Sequence, residues 1–240
     1  ESTRVAEAIA DTAYNLALAE IRAGDPKAAL STTRNTQAEL QRRQVAVPAE
    51  LMLVQAAAAY RAGDIATAAA AAQQALELKA RDTDTAPRAW FIRGLVAAER
   101  GDSATLAQAI AAIAPSKQAD IQADRQELTG RAALLDGNAG AALTSFEQAA
   151  ANRQQAIDYR GMARALAPAG EASLKLGKPS EAAVFYLRAG RSSLLQGDTA
   201  AATPQLKRAE ELARQTSQTG IVEEIARLRK AAAERAPVRT

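Results

Sequence analysis

The feature that most limits how this 240-residue chain can fold is a turn signal that keeps returning. It reads Gly24-Asp25, Gly63-Asp64, Gly101-Asp102, Gly137-Asn138, Gly177-Lys178 and Gly197-Asp198, with glycine spacings of 39, 38, 36, 40 and 20. Self-similarity at a period of about 20–50 residues marks a repeat architecture. Glycine accepts the left-handed conformation that ends a helix, where a Cβ is unfavourable. The Asp or Asn that follows most of them can accept from the free N–H groups opening the next helix. Pro26 and Pro179 then stand at a first helical position, where a missing N–H does no harm. Each turn therefore stops one helix and starts another, and such short joins make antiparallel helical hairpins.

Between the turns the apolar pattern is helical. It predicts helices over 3–23, 26–43, 48–62, 65–80, 87–100, 103–113, 117–136, 139–151, 155–176, 179–196, 199–215 and 220–234. Pro168 falls inside the ninth and is expected to kink or split it. The final glycine spacing of 20 is half a repeat, which predicts a change in the register of pairing between Gly177 and Gly197. Composition agrees with an all-α chain: 48% of residues are hydrophobic but only 3% aromatic, and alanine carries most of the apolar load. Alanine is the best helix former and a small core filler, suited to helices that approach closely. No alternating run of β-branched and aromatic residues signals a strand.

With neither cysteine nor histidine, the chain lacks disulfides, thiolate nucleophiles, the usual zinc ligands and the usual near-neutral proton shuttle. Lys+Arg exceeds Asp+Glu by only three, which is not the clustered basic stripe of a nucleic-acid binder. No apolar run reaches the roughly 20 residues a spanning helix needs. Any signal peptide or lipid-anchor cysteine would lie upstream of Glu1.

Ala89-Trp90-Phe91-Ile92-Arg93-Gly94 followed by Gly101-Asp102 resembles the tetratricopeptide repeat family. Trp90 falls at the family's first-helix Trp, Gly94 at its small close-approach residue, and Arg93 replaces the expected Leu. Gly130, Ala142 and Phe146 continue the pattern, as do Ala182 and Tyr186. The sequence Gln74-Ala75-Leu76-Glu77-Leu78 is similar to the family's second-helix ending. Gln126, Met52 and Ala13 depart from the pattern where Trp would stand. The resemblance implies a right-handed α-solenoid of antiparallel helix pairs, about five hairpins plus closing helices, as one domain over 1–240. Its repeat units would be 3–43, 48–80, 87–113, 117–151 and 155–196, with closing helices at 199–234. Trp90, Gly94, Gly130, Phe146 and Tyr186 read as packing residues.

In that family the first helices line a concave groove that binds proteins or peptides. The resemblance places Tyr14, Leu18 and Arg22 there from the first unit, and Leu53, Tyr60 and Arg61 from the second. Arg88, Phe91, Leu95 and Glu99 follow, then Glu127, Arg131 and Leu135, then Arg164, Glu171 and Lys175. Aromatic and guanidinium groups are the types enriched at binding hot spots, and arginine grips carboxylates and stacks on rings. The asparagine and lysine set that grips an acidic C-terminal carboxylate does not carry over. Asn15 is the only first-helix asparagine matched, and Leu18, Ala57 or Leu95 stands where the second would be.

Other motifs lead nowhere. Gly170 and Gly177-Lys178-Pro179-Ser180 have the wrong spacing for a phosphate loop, with Pro179 breaking its ending. Glu210-Glu211 and Glu223-Glu224 lie on solvated helical faces rather than facing each other. Gln41-Arg42-Arg43-Gln44 and the tail Arg227, Arg229, Lys230, Arg235 and Arg239 read as solvated basic faces. The expectation is a non-catalytic scaffold or adaptor for an unidentified protein or peptide, without cofactor or metal, its oligomeric state open. The resemblance and the alanine, glutamine and arginine richness suggest a periplasmic or outer-membrane-anchored bacterial protein. The alternative is a cytoplasmic regulatory or sensor module acting on an enzyme or on transcription machinery.

Overall fold

Alanine-rich segments separated by glycine turns give an all-α chain in the computed structural model, which describes the backbone of residues 2–235 and the side chains of 4–234. The helices are α1 (Ser2–Arg22), α2 (Pro26–Arg42), α3 (Ala49–Arg61), α4 (Ile65–Glu77), α5 (Thr85–Arg100) and α6 (Ser103–Ile113). They continue with α7 (Ala119–Leu135), α8 (Ala139–Gln155), α9 (Tyr159–Lys175), α10 (Pro179–Leu195), α11 (Thr199–Gln215) and α12 (Thr219–Arg235). The Arg235 side chain and Arg239 of the basic tail lie outside the described residues. No described helix is long and apolar enough to cross a membrane.

The turns work as their chemistry requires. All six turn glycines have positive φ, between 68° and 83°. Asp25, Asp64, Asp102, Asn138, Asp158 and Asp198 each accept a hydrogen bond at 2.9–3.0 Å from the N–H three residues on. This satisfies one of the donors a helix start leaves free. In each turn an N–H also reaches back five residues to the helix just ended, as in Asp64 N to Ala59 O at 2.9 Å. That is the closing bond of a Schellman cap.

The same closure occurs where no glycine announces it. Asp158 N bonds Arg153 O at 2.9 Å and Gln218 N bonds Ala213 O at 2.8 Å, with Ile157 and Ser217 taking the left-handed place at φ 56° and 58°. The expected long helix over 155–176 is therefore wrong by a whole turn. The eighth helix runs on to Gln155, residues 156–158 turn, and the ninth begins at Tyr159. A β-branched residue is strongly disfavoured in this conformation, so the sequence conceals the turn. The expected register change also disappears. From α7 to α12 every helix is 17 residues long, and the starts from α7 to α12 are 20 residues apart, so 20 is the helix period of this stretch. Pro168 does not split α9, which continues to Lys175.

The chain forms two compact units, one up to Ile121 and one from Gln122. In the first, α1, α3 and α5 pack side by side, and each first helix pairs with the helix after it. Its core is small-residue packing: Ala17, Ala29, Ala56, Ala58, Ala59, Ala68 and Ala72 surround Ile21, Val54 and Ile92. In the second, glycines set the helix separation. A Cβ on Gly130 would stand 2.7 Å from the Phe146 ring, and one on Gly190 would stand 2.6 Å from Leu206. Each pair is sixteen residues apart, and Gly170 meets Tyr186 at the same offset. Gly130, Phe146 and Tyr186 are thus packing residues.

Candidate functional site

On the first unit, the first-helix layer carries a half-buried apolar strip. Tyr14 and Leu18 on α1, and Leu53, Ala57 and Tyr60 on α3, rest against the alanine core with part of each side chain still open. The helices place them together because α1 and α3 repeat with an offset of 39, so Tyr14 matches Leu53 and Leu18 matches Ala57. Tyr60 Oη donates to Glu99 Oε1 at 2.6 Å, tying α3 to α5. Arg22 and Arg61 occupy the last turns of α1 and α3 and are exposed, where a cation also complements the helix dipole.

The expected contribution of α5 changes. Phe91 and Leu95 are core residues, 6% and 2% exposed, because the apolar face of α5 turns inward against its neighbours. Arg88 Nη2 meets Asp120 Oδ2 at 2.7 Å, so it is held in an ion pair on its own unit. Arg93, standing where the family has Leu, stacks its guanidinium 4.6 Å from the Trp90 ring centre. It also donates to Gln73 Oε1 at 2.6 Å, which accounts for the departure: a planar cation can cover an aromatic face as an aliphatic chain would.

At one end of the strip is a cavity of about 190 Å³ lined by Ala10, Asp11, Tyr14, Pro48, Glu50, Leu51, Arg81 and Asp82. Arg81 Nη1 bonds Asp11 Oδ1 at 2.8 Å and its backbone N–H donates to Glu50 Oε1 at 2.5 Å. The Asp11 contact, working against burial, raises the Arg81 pKa. Asp82 Oδ1 accepts from the N–H groups of Asp84 and Thr85 and from the Thr85 hydroxyl. Burial opposes these bonds, but together they hold its carboxyl below the usual range.

The second unit differs. Glu127, Arg131 and Arg164, expected on a groove, meet in a mostly buried ionic cluster. Arg164 Nε donates to both Glu127 oxygens at 3.0 and 2.8 Å, and Arg131 Nη2 reaches Glu127 Oε1 at 3.2 Å. Glu127 is only 1% exposed. Arg164 Nη2 also contacts Asp124 at 3.2 Å, and Asp124 pairs with Arg153, which meets Asp158 at 3.0 Å. Burial works to lower the Arg164 pKa, but the charges of Glu127 and Asp124 outweigh it and hold it above the ordinary arginine value. Glu127 therefore serves its own arginines rather than a ligand. Lys175 and Glu171 are exposed and 3.9 Å apart, and Leu135 is exposed at the end of α7.

Asp124, Arg153 and Asp158 escaped the sequence reading, although the 20-residue period holds a signal. Arg153 aligns with Ser173, Ser193 and Ala213, so one helix carries a large cation in a slot otherwise small. Gly161 aligns with Ala141, Glu181 and Ala201, and a Cβ there would stand 2.6 Å from Arg153 Cδ. The glycine makes room for the arginine. Among the described residues no group of three or more acidic side chains is arranged to hold a metal ion.

No family model matches the sequence, and no curated protein matches it. Solved structures do match. A Rap protein complexed with Competence and Sporulation Factor has a TM-score of 0.62 at 16% identity, covering 95% of this chain and 76% of that one. BtubC from P. vanneervenii has a TM-score of 0.55 at 16% identity, covering 92% and 94%. A tetratricopeptide repeat protein from Parabacteroides merdae has a TM-score of 0.51 at 16% identity, covering 91% and 83%. The fold of this chain is the tetratricopeptide-like helical repeat.

Proposed function

We propose that this chain is a non-catalytic scaffold or adaptor that binds a protein or peptide on the α1–α3 face of its first unit. The observation that carries the reading is the strip of Tyr14, Leu18, Leu53 and Tyr60, apolar side chains left half-open beside a cavity. Aromatic and aliphatic groups held on rigid helices are what a binding groove presents. The fold supports the reading, since the Rap structure was obtained with Competence and Sporulation Factor bound. The setting we propose is a bacterial envelope assembly, on the sequence resemblance given above.

The test is a crosslinked pull-down from fractionated source cells with the parent chain and a Tyr14→Ala, Leu18→Ala variant as baits. Circular dichroism checks that the variant keeps its helix content. A partner captured by the parent and lost by the variant is the expected result, and its compartment reports the setting. Identical captures with both baits would remove the α1–α3 face from consideration.

A further inference from the structure

We infer that α1 carries a seam on its outer side through which two copies of this chain pair, their first helices antiparallel. Val5, Ile9, Thr12, Leu16 and Ala19 follow one another at steps of 4, 3, 4 and 3, the spacing of a seam between two helices. At about 100° per residue they line one side of α1, roughly half a turn from Tyr14. Val5 and Leu16 are 50% and 49% exposed, Thr12 and Ala19 are exposed, and Ile9 is half-buried. Tyr14 and Leu18 lie on another side of the helix, so pairing leaves their strip free and does not depend on what it binds.

One repeat further on, the same side of a first helix is a packing face. At the offset of 39, Thr12, Leu16 and Ala19 correspond to Leu51, Gln55 and Ala58 on α3, which are 1%, 5% and 0% exposed. The α1–α2 hairpin closes that side: Leu51 shares a buried cluster with Ala6, Ala10 and Ala13 of α1 and Leu40 of α2. On α1 the corresponding residues are open to solvent. A helix side suited to water looks different in this chain, since α12 exposes Glu223, Arg227, Lys230 and Glu234 at steps of 4, 3 and 4. The one hydroxyl on the α1 seam is already satisfied. Thr12 Oγ1 donates to Ala8 O at 2.7 Å, so Thr12 can be covered without stranding its donor.

The occupant is a second copy because the seam complements itself. With a two-fold axis between Ala10 and Asp11, Val5 of each copy meets Leu16 of the other, and Ile9 meets Thr12. Each of these layers joins a larger side chain to a smaller one, so the seam fills evenly. A parallel pairing would stack each residue on itself, leaving Thr12 on Thr12 beside wider layers. A second copy brings identical charges, so a self-pairing face must be free of them. Glu7 and Asp11 turn away from the seam and both act on Arg81. Glu20, beyond the last layer, is bonded by Thr32 at 3.2 Å. From Val5 to Ala19 the seam is about 21 Å long at roughly 1.5 Å per residue. One helix against one helix falls short of the roughly 1,600 Å² of a standard stable interface, so the pairing is reversible and concentration-dependent.

The test is sedimentation velocity of the full chain over a rising concentration series. The parent is expected to move from monomer to dimer and no further. Leu16→Glu places a carboxylate in both end layers and should hold the chain as a monomer. Its circular dichroism spectrum and melting temperature should match the parent's, because Leu16 is half exposed. Tyr14→Ala, on the other side of the helix, should dimerise as the parent does. A parent that stays monomeric, a Leu16→Glu variant that still dimerises, or growth beyond the dimer would each overturn the pairing. The chain has no cysteine, so Val5→Cys and Leu16→Cys report orientation through a short bismaleimide crosslinker. Mixed together, the two variants are expected to crosslink to each other. If each crosslinks to itself instead, the antiparallel order is wrong.

Discussion

From α7 to α12 every helix has 17 residues and the starts are 20 apart, whereas in the first unit the lengths run from 21 in α1 to 11 in α6. Uniform pitch puts residues 20 apart in equivalent surroundings. That is why Gly130, Gly170 and Gly190 each meet a bulky side chain sixteen residues later. Three-residue turns leave no chain to spare. The first unit instead joins α4 to α5 through residues 78–84, and this longer segment brings Arg81 and Asp82 over the middle of α1 and the start of α3 to wall a cavity. The regular unit buries an ionic cluster between α7, α8 and α9; the irregular unit carries a cavity beside α1 and α3. Tight repetition here gives close packing, and departure from it leaves a cavity.

The largest blow to this contrast should come from Arg153→Ser, which gives α8 the residue found in α9 and α10. It strips Asp124 of its Arg153 partner in a buried site, and breaking such a pair typically costs about 3–5 kcal/mol. Urea unfolding monitored by circular dichroism should show that loss. Asp124→Leu together with Arg153→Met should recover most of it, because Arg164 keeps both oxygens of Glu127 and the partly exposed Asp158 keeps the Gly161 N–H. Recovery failing would mean that the cluster does more than neutralise itself.

Gly130→Val tests the packing half of the comparison. The new methyl groups meet Phe146, itself fully buried, so overpacking should cost about 1–3 kcal/mol. Gly170→Val should cost less, because Tyr186 is only partly buried and can give way. Equal melting shifts for the two would argue that ring mobility does not matter.

Ile157→Gly is expected to stabilise. The residue is 70% exposed with φ 56°, so little packing is lost while left-handed strain of about 1–2 kcal/mol is relieved. After the greater chain entropy of glycine, a gain of roughly 0.5–1 kcal/mol should appear as a higher melting temperature.

Acid weakens two caps of the first unit more subtly. Hydrogen bonds from Thr67 and Thr105 hold the Asp64 and Asp102 carboxyls below their usual range. A carboxyl depressed by folding contributes stability fully above its unfolded pKa and loses it as pH falls through the folded value. Asp64→Asn with Asp102→Asn should therefore match the parent near neutrality, since Asn138 already caps α8 in this way. The acid limb of the stability curve should be shallower. The smallest effect is Tyr60→Phe, which removes the exposed bond to Glu99. About 0.5 kcal/mol is expected, and hydrogen exchange in α3 and α5 should barely change.

Much of the architecture was legible because turns are local. A glycine in the left-handed region followed by an Asp or Asn cap is decided by a few neighbouring atoms, so the joins at Gly24, Gly63, Gly101, Gly137 and Gly197 could be read directly. The join at Ile157 could not, because its signal was the absence of the expected glycine. The strip of Tyr14, Leu18, Leu53 and Tyr60 was named from the family resemblance, and the helices do bring those residues together. The same reasoning exposed Phe91 and Leu95, which the core takes.

What the sequence by itself determined is the helical period and the caps that enforce it, since both rest on backbone conformation and on hydrogen bonds within five residues. Only the tertiary structure decided which polar groups are buried and with whom. Glu127 meets Arg164 across 37 residues and Asp124 meets Arg153 across 29, distances over which no local pattern reports. Burial is settled by how the helices stack, and a charged residue on a helix carries the same letters whether it faces water or a buried counter-ion.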